Sequence, residues 1–386
     1  MDFRALDTYL DAVLEEKNVP GFGIAVYHRG EPVHHYTGGY ADRERGIPVA
    51  PDTLFNLYSA SKLATCIATM QLWERGMFRL DDPVGEYLPE FREMTVEETG
   101  ADGEKTLRPA KTPITIRHLL SMQAGLANPL GIPAVQKVKE ETGGRCPTRE
   151  IVRAAAGAPL VFEPGTHFRY GYCHDVLGAL VEVVSGERFG AYLRRHIFEP
   201  VGMPDTGFGV PEEKRDRMAV EYYGYDSRTK TARSTERRYG FDMGLGPDYE
   251  SGGGGLVSSV PDYARLAQTL CARGLAPSGE RILQPETVER MRENQLSAAA
   301  LADFDQFGGP SKRGYGYGLG VRTLLDRERN GSRSQNGEFG WDGMLGSYVL
   351  IDPAAEVALF YAQHEGGSPW WDWHGEMRNA AYSCLE

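Results

Sequence analysis

The sequence has few of the features that mark a membrane, metal-binding or nucleic-acid-binding protein. No window approaches the roughly 18 consecutive apolar residues of a membrane-spanning helix. The five cysteines among 386 residues are odd in number and lack the spacing of metal ligands, which favours reduced thiols. The 42 Lys and Arg residues form no basic stripe and are outnumbered by 54 Asp and Glu, so no nucleic acid is expected as a partner.

The amino-terminal segment lacks the apolar core of a secretion signal. Residues 2–16 carry acidic side chains within an amphipathic helical pattern, with Leu6 and Leu10 on its apolar face. We therefore expect a cytoplasmic protein without a membrane partner. No metal and no cofactor is expected, and the oligomeric state is not readable from the pattern.

The sequence also contains no Gly-x-Ser-x-Gly, which excludes the nucleophile elbow of an α/β-hydrolase. It contains instead Ser-Ala-Ser-Lys at 59–62, where an extended stretch runs into a helical pattern with Leu63 and Ile67 on one face. Lys62 lies one turn after Ser59, so its amine can reach the serine hydroxyl. The N-terminus of a helix also supplies free N–H groups that can stabilise an oxyanion. This arrangement suits a nucleophilic serine with a lysine partner.

Two further segments carry candidate functional residues. Tyr170-Gly171-Tyr172 precedes a helix, so the phenol of Tyr170 can point into a cleft. Trp341-Asp342-Gly343 opens a strand-like run, and a glycine there allows close approach of a ligand.

The distribution of patterns indicates an α/β (α+β) fold. Strand-like runs lie near both ends of the chain, whereas the middle is helical and rich in loops. We predict a discontinuous α/β unit formed by 1–83 and 251–386, with a helical, loop-rich subdomain at 84–250. Tyr315 to Leu325 and Met344 to Ile351 are predicted as single strands.

In combination, the three motifs resemble the serine β-lactamase-like superfamily, in the branch that holds class C β-lactamases, D-alanyl-D-alanine peptidases and family VIII carboxylesterases. The segment 114–121 and the glycine run 252–255 add to this resemblance. It implies a β-lactamase/transpeptidase-like fold, in which helices flank an antiparallel sheet and a helical subdomain is attached.

The resemblance also implies roles for individual residues. Ser59 would be acylated, and Lys62 and Tyr170 would together take its proton. Free lysine and tyrosine have pKa values of about 10.4 and 10, so such a pair acts as a base only when its members perturb each other. The backbone N–H groups of Ser59 and Met344 would form the oxyanion hole. The substrate would contact the remaining motif residues, Tyr172, Trp341, Asp342 and Gly343.

Two departures from the β-lactamase pattern bear on the substrate. The middle motif ends in Tyr172 where those enzymes have Asn, and the third motif is Trp-Asp-Gly in place of Lys-Thr-Gly. A tryptophan cannot hold a substrate carboxylate, and Asp342 would repel an anion if it faced the cleft. The motif looks like the Trp-x-Gly of family VIII esterases.

We therefore expect a carboxylesterase acting on a small-molecule ester or amide of small or medium size. A β-lactamase or a D-alanyl-D-alanine carboxypeptidase or D-aminopeptidase remains an alternative. A non-catalytic ligand-binding protein of the same fold is a further alternative.

Overall fold

The computed structural model describes residues 1–17, 19–100, 102–226, 231–234, 239–367, 369 and 371–386. The strands of this described part are, in chain order, β1 (Gly21–His28), β2 (Glu31–Asp42), β3 (Ile47–Pro48), β4 (Leu54–Asn56), β5 (Thr95–Thr99), β6 (Lys105–Pro109), β7 (Gly207–Phe208), β8 (Tyr222–Asp226), β9 (Thr231–Ser234), β10 (Leu256–Ser259), β11 (Tyr315–Tyr317), β12 (Arg322–Leu324), β13 (Phe339–Gly340), β14 (Tyr348–Asp352) and β15 (Val357–Gln363).

Short 3₁₀ segments and one π-helical turn separate the α-helices of the same described ranges. These helices are α1 (Arg4–Lys17), α2 (Lys62–Glu74), α3 (Ile116–Leu120), α4 (Pro133–Glu141), α5 (Thr148–Ala155), α6 (Cys173–Ser185), α7 (Phe189–Leu193), α8 (Glu199–Val201), α9 (Val260–Cys271), α10 (Pro285–Arg292), α11 (Ala298–Gly308), α12 (Arg327–Asn330) and α13 (Trp371–Ser383).

The largest sheet has eight strands in the order β11-β12-β13-β14-β15-β1-β2-β3. Its strand pairs are antiparallel, and β1 and β15 pair from Phe22 opposite Gln363 to His28 opposite Val357. A turn at Arg29-Gly30 joins β1 and β2 into a hairpin. The sheet thus joins the beginning of the chain to its end.

Alternation along the central strands fills two hydrophobic layers. Phe22 and Ile24 of β1 share one cluster with Leu359 of β15 and with residues of α1 and α13. Ala25 and Phe360 point to the opposite face, where α9 packs. Because side chains alternate across a strand, one apolar run covers both faces of the sheet.

A second layer positions the middle of the chain. Helix α2 is buried along nearly its whole length and packs against α6, and both belong to the main hydrophobic core. A three-stranded sheet, β4-β10-β7, lies at the entrance to α2. The antiparallel sheet with flanking helices confirms the predicted fold class. The division at 83/84 and 250/251 stays a prediction.

Two strand predictions are wrong in detail. The run Tyr315 to Leu325 is a hairpin of β11 and β12, because the chain turns at Gly320, whose φ is +86° and where an added Cβ would lie 1.9 Å from Cys66 Sγ. The strand predicted from Met344 begins only at Tyr348, because a turn closed by Gly343 N–H donating to Ser347 O precedes it.

Within the described ranges, no helix is both long enough and apolar enough to cross a bilayer.

Candidate active site

Ser59 lies at the point where the chain leaves β4 and enters α2. A 3₁₀ turn, Tyr58–Ser61, connects the two elements and brings Lys62 to the first position of α2. Tyr58 has a φ of +46°, a left-handed conformation that costs about 1–3 kcal/mol in a residue other than glycine. This turn leaves Ser59 half-buried while the residues on either side are buried.

Contacts of the Tyr58 side chain hold this turn in place. Its hydroxyl donates to Glu221 Oε1 at 2.9 Å and lies 2.7 Å from the hydroxyl of Tyr223. Its ring centroid lies 4.6 Å from that of Phe241. The nucleophile is therefore positioned by a residue that the sequence motif did not single out.

Lys62 joins the serine to the glycine run. Its Nζ donates to Ser59 Oγ at 3.1 Å and to the carbonyl of Gly253 at 2.6 Å, and the side chain is buried. The helical spacing of Ser59 and Lys62 thus produces the contact that the sequence predicts. An amine held beside the hydroxyl in this way can accept or relay its proton.

Tyr170 approaches the same ammonium with the face of its ring. Lys62 Nζ lies 4.7 Å from the Tyr170 ring centroid. The Tyr170 hydroxyl accepts a hydrogen bond from Trp341 Nε1 at 3.1 Å, whereas the sequence predicts that it contacts Ser59 and Lys62. The ring stacks between Phe307 and Trp341, at centroid distances of 5.0 and 5.4 Å, and this stacking sets its direction. The three predicted catalytic side chains are thus neighbours, with the phenol turned toward the indole.

Trp341 forms a buried wall behind Tyr170 and does not face open space. It is 4% exposed and also packs edge-on against Tyr317 at 5.2 Å. Its indole N–H is committed to the Tyr170 hydroxyl. Its direct contact is therefore with a candidate catalytic residue.

Asp342 is paired inside the protein. Its carboxylate is buried and forms ion pairs with Arg322, at 2.8 Å, and with Lys312. Although burial opposes ionisation, these two cations lower the pKa of Asp342 to about 2. These pairs occupy the carboxylate with protein partners, and its expected substrate contact stays a prediction.

Tyr172 is likewise buried, and its expected substrate contact stays a prediction. The side chain is 3% exposed, and its hydroxyl lies 2.8 Å from that of Tyr249 in the interior. The backbone at Gly171 presses against Leu126, where an added Cβ would lie 2.2 Å from the carbonyl oxygen. This close approach fixes the loop so that Tyr170 and Tyr172 point in different directions.

Gly343 brings the third motif against the nucleophile segment. An added Cβ would lie 2.3 Å from the carbonyl oxygen of Leu57, and Ser347 Oγ donates to that same oxygen at 3.3 Å. Met344 follows with its side chain 47% exposed. The oxyanion hole formed by the backbone N–H groups of Ser59 and Met344 stays a prediction.

An aromatic cavity of about 540 Å³ adjoins the nucleophile turn. Phe241, which packs on Tyr58, forms one wall, and Gly255 of the glycine run forms another. The remaining lining is mainly aromatic or without side chains, and includes Phe208, Tyr239, Pro247 and Tyr249. Such a cavity suits an apolar group.

Sequence reasoning missed three residues of this region. Lys312 and Phe307 lie far from the first two motifs and about 30 residues before the third. No local pattern marks them. Asp175 follows the middle motif, where its charge directly before the apolar run 176–181 was the available signal.

Comparison with known proteins relates this site to a large group of enzymes. The family model described as Beta-lactamase matches residues 6–370. Esterase EstB of Burkholderia gladioli is 31% identical over 378 residues, which cover 92% of this chain and 88% of that protein. Monacolin J acid methylbutanoyltransferase of Aspergillus terreus is 29% identical over 343 residues, covering 84% of this chain and 79% of that protein.

A solved structure of a hydrolase is also similar to this chain. EstCE1, a hydrolase with promiscuous acyltransferase activity, superposes with a TM-score of 0.78 at 28% identity and covers 98% of both chains. Esterases and acyltransferases are therefore among the proteins to which this chain is similar.

Proposed function

Because this chain belongs to the beta-lactamase family, we propose that it is a serine hydrolase acylated at Ser59, and that it acts as a carboxylesterase on small or medium uncharged esters. The observation that carries the proposal is the environment of the third motif. Its tryptophan donates to Tyr170, and the cations that contact its aspartate, Lys312 and Arg322, are both paired with it. This arrangement supports a substrate that brings no carboxylate to this part of the cleft.

The proposed reaction begins with attack of Ser59 Oγ on the ester carbonyl. The serine proton passes to the Lys62–Tyr170 pair as the O–C bond forms. The backbone N–H groups of Ser59 and Met344 would hold the oxyanion, and each such donor contributes roughly 2.7–4 kcal/mol to transition-state stabilisation. Cleavage of the ester C–O bond releases the alcohol, which takes the proton from the pair.

Water completes the cycle by hydrolysing the acyl-enzyme. It loses a proton to the pair as it adds to the acyl carbon, and the proton returns to Ser59 when the carboxylic acid leaves. The indole N–H of Trp341 lies 3.1 Å from the Tyr170 oxygen, where it can stabilise negative charge on the phenol during both proton transfers. This contact supports Tyr170 as the member of the pair that becomes anionic.

An acceptor alcohol can replace water in the second half of the cycle. The similarity to a methylbutanoyltransferase and to a hydrolase with acyltransferase activity favours this second candidate function. It uses the same acyl-enzyme, so only the identity of the acceptor differs.

The test compares turnover of p-nitrophenyl butyrate with that of nitrocefin at equal concentrations. We expect the ester to be consumed faster, and Ser59→Ala to abolish the reaction while the matched variant of an exposed serine, Ser278→Ala, retains it. Faster consumption of the lactam would replace the esterase with the β-lactamase or peptidase alternative. Absence of Ser59-dependent turnover of either substrate would favour the ligand-binding alternative.

A further inference from the structure

Asp175 is a buried carboxylate behind the candidate catalytic pair. It lies in the first turn of α6 and is 1% exposed. Its Oδ1 accepts hydrogen bonds from Ser251 Oγ at 2.7 Å and from Tyr249 Oη at 2.8 Å. A buried carboxylate with this many donors is held in one position.

The glycine run connects this carboxylate to Lys62. An added Cβ at Gly253 would lie 2.5 Å from Asp175 Oδ2, and the Gly253 backbone acts to lower the pKa of this carboxylate. The carbonyl of the same residue accepts from Lys62 Nζ at 2.6 Å. One residue therefore separates the carboxylate from the ammonium that contacts Ser59.

The neighbouring Gly252 fixes this connection between two helices. An added Cβ there would lie 2.3 Å from the carbonyl oxygen of His174, on α6, and its own carbonyl accepts from Thr65 Oγ1 of α2 at 2.7 Å. Gly252 therefore lies between the two helices, where any larger residue would clash. It keeps α6 and α2 at a fixed separation.

Three other titratable groups that face Lys62 are buried. Burial lowers the pKa of His174 and raises the pKa of the thiols of Cys66 and Cys173. Burial also raises the pKa of Asp175, whereas Ser251, Tyr249 and the Lys62 charge act in the opposite direction. The phenol of Tyr170 faces Lys62 from the cleft side. Asp175 is the one carboxylate among these groups.

We infer that Asp175 is a positioning residue whose negative charge, transmitted across Gly253, keeps Lys62 as an ammonium and so assigns the transferred proton to Tyr170. The inference rests on the proposed function and specifies which member of the pair acts as the base. Lys62 then stays charged throughout, orients the serine hydroxyl and stabilises the phenolate beside it. Asp175 touches neither substrate nor the reacting atoms, and acts through Gly253 and Lys62.

Removal of this charge has a defined effect on the pH dependence. The inactive form of the pair carries one more proton, and so one more positive charge, than the active form. The carboxylate stabilises that inactive form, so its loss moves the acidic limb of the reaction to lower pH. We expect the midpoint of the acidic limb to move down by about 0.5–1 pH unit on the loss of one buried charge.

The experiment measures the rate of labelling by a fluorophosphonate probe against pH, a readout that does not depend on which ester is the substrate. Asp175→Asn should move the midpoint of the acidic limb downward, and Asp175→Glu, which keeps the charge, should restore the wild-type midpoint. Tyr172→Phe is the matched control, because it removes a hydroxyl of the same network without changing any charge. Its midpoint should equal that of the wild type.

A uniform loss of labelling in Asp175→Asn, with an unchanged midpoint, would overturn the inference and leave Asp175 as a structural anchor. If Asp175→Asn does not fold, Ser251→Ala tests the same point, because it removes a donor that opposes the effect of burial on the pKa of Asp175 and so favours loss of the carboxylate charge. Its midpoint should move downward, and an unchanged or higher midpoint would contradict the inference. Absence of labelling in the wild type would instead refute the proposed function.

Discussion

The indole N–H of Trp341 donates a hydrogen bond to the hydroxyl of Tyr170 at 3.1 Å, with the two rings stacked at a centroid distance of 5.4 Å. This contact gives the tryptophan of the third motif a partner within the protein, the hydroxyl of Tyr170. The tryptophan contacts a candidate base. A donor fixed beside a phenol stabilises its anion, so the two residues form one functional unit.

Loss of the indole N–H should therefore slow the chemical step. We predict that Trp341→Phe lowers kcat toward p-nitrophenyl butyrate by about 10–100-fold with little change in KM, since a hydrogen bond to a charged group contributes roughly 1.5–3 kcal/mol. Tyr317→Phe is the control, because its ring packs on Trp341 while its hydroxyl has no hydrogen-bond partner among the described residues. An equal loss in both variants would show that the effect does not depend on the indole N–H.

The close approach of Gly343 to Leu57 should be equally sensitive. Gly343→Ala places a methyl group where 2.3 Å is available, so the strand must move away from the nucleophile segment. We predict that kcat falls by about 100-fold, as when one oxyanion donor is lost, while circular dichroism shows a folded protein. Gly131→Ala, where an added Cβ meets nothing within 4 Å, should leave kcat unchanged. Wild-type activity in Gly343→Ala would remove this strand from the oxyanion hole.

The buried ion pairs of Asp342 should contribute to stability and not to substrate recognition. Asp342→Asn removes the counter-ion of Lys312 and one of the two carboxylates that pair with Arg322, the other being Glu338. We predict a loss of about 3–5 kcal/mol in the free energy of unfolding. Asp248→Asn, at an exposed pair with Arg145, should cost less than about 1 kcal/mol. Urea denaturation measures both values, and equal effects would contradict the buried role.

The same pair predicts a pH dependence. The pKa of Asp342 is lowered from 3.8 to about 2 in the folded protein, so the ionised carboxylate stabilises the fold above its unfolded pKa. This stabilisation is lost as the pH falls from about 4 to about 2. The difference in unfolding free energy between wild type and Asp342→Asn should therefore shrink across that window. A difference that is constant with pH would refute the lowered pKa.

The aromatic cavity beside Tyr58 should select the acyl chain. Phe241 forms its wall and packs on the residue before the nucleophile. We predict that Phe241→Ala lowers kcat/KM for p-nitrophenyl octanoate by about tenfold, since a truncated aromatic loses roughly 1–3 kcal/mol of contact with a bound chain. The acetate ester serves as the internal control and should change by less than about twofold. Parallel losses for both esters would place the acyl chain elsewhere.

The sequence predicts the parts of this site that follow from local geometry. Lys62 contacts Ser59 because residues three apart share a helix face, and that spacing is visible in the chain. The burial of Tyr172 and Asp342 could not be predicted, because loop side chains turn according to contacts made by distant segments. Lys312 binds Asp342 from 30 residues away, and no local pattern marks such a partner.

The fold followed from the strand-like runs at both ends of the chain and from the resemblance that the motifs carry. The boundaries of the strands could not all be predicted, because Gly320 makes a turn within an apolar run that resembles a single strand in the sequence. The close approach of Cys66 that requires this glycine comes from α2, far away in the sequence.

The most direct test is intact-protein mass spectrometry after rapid acid quenching of a reaction with p-nitrophenyl butyrate, followed by peptide mapping. We expect a butyryl group on the peptide that contains Ser59, and no such mass increase in Ser59→Ala. Turnover of the ester with the acyl group on another residue, or with undiminished labelling in Ser59→Ala, would refute acylation at Ser59.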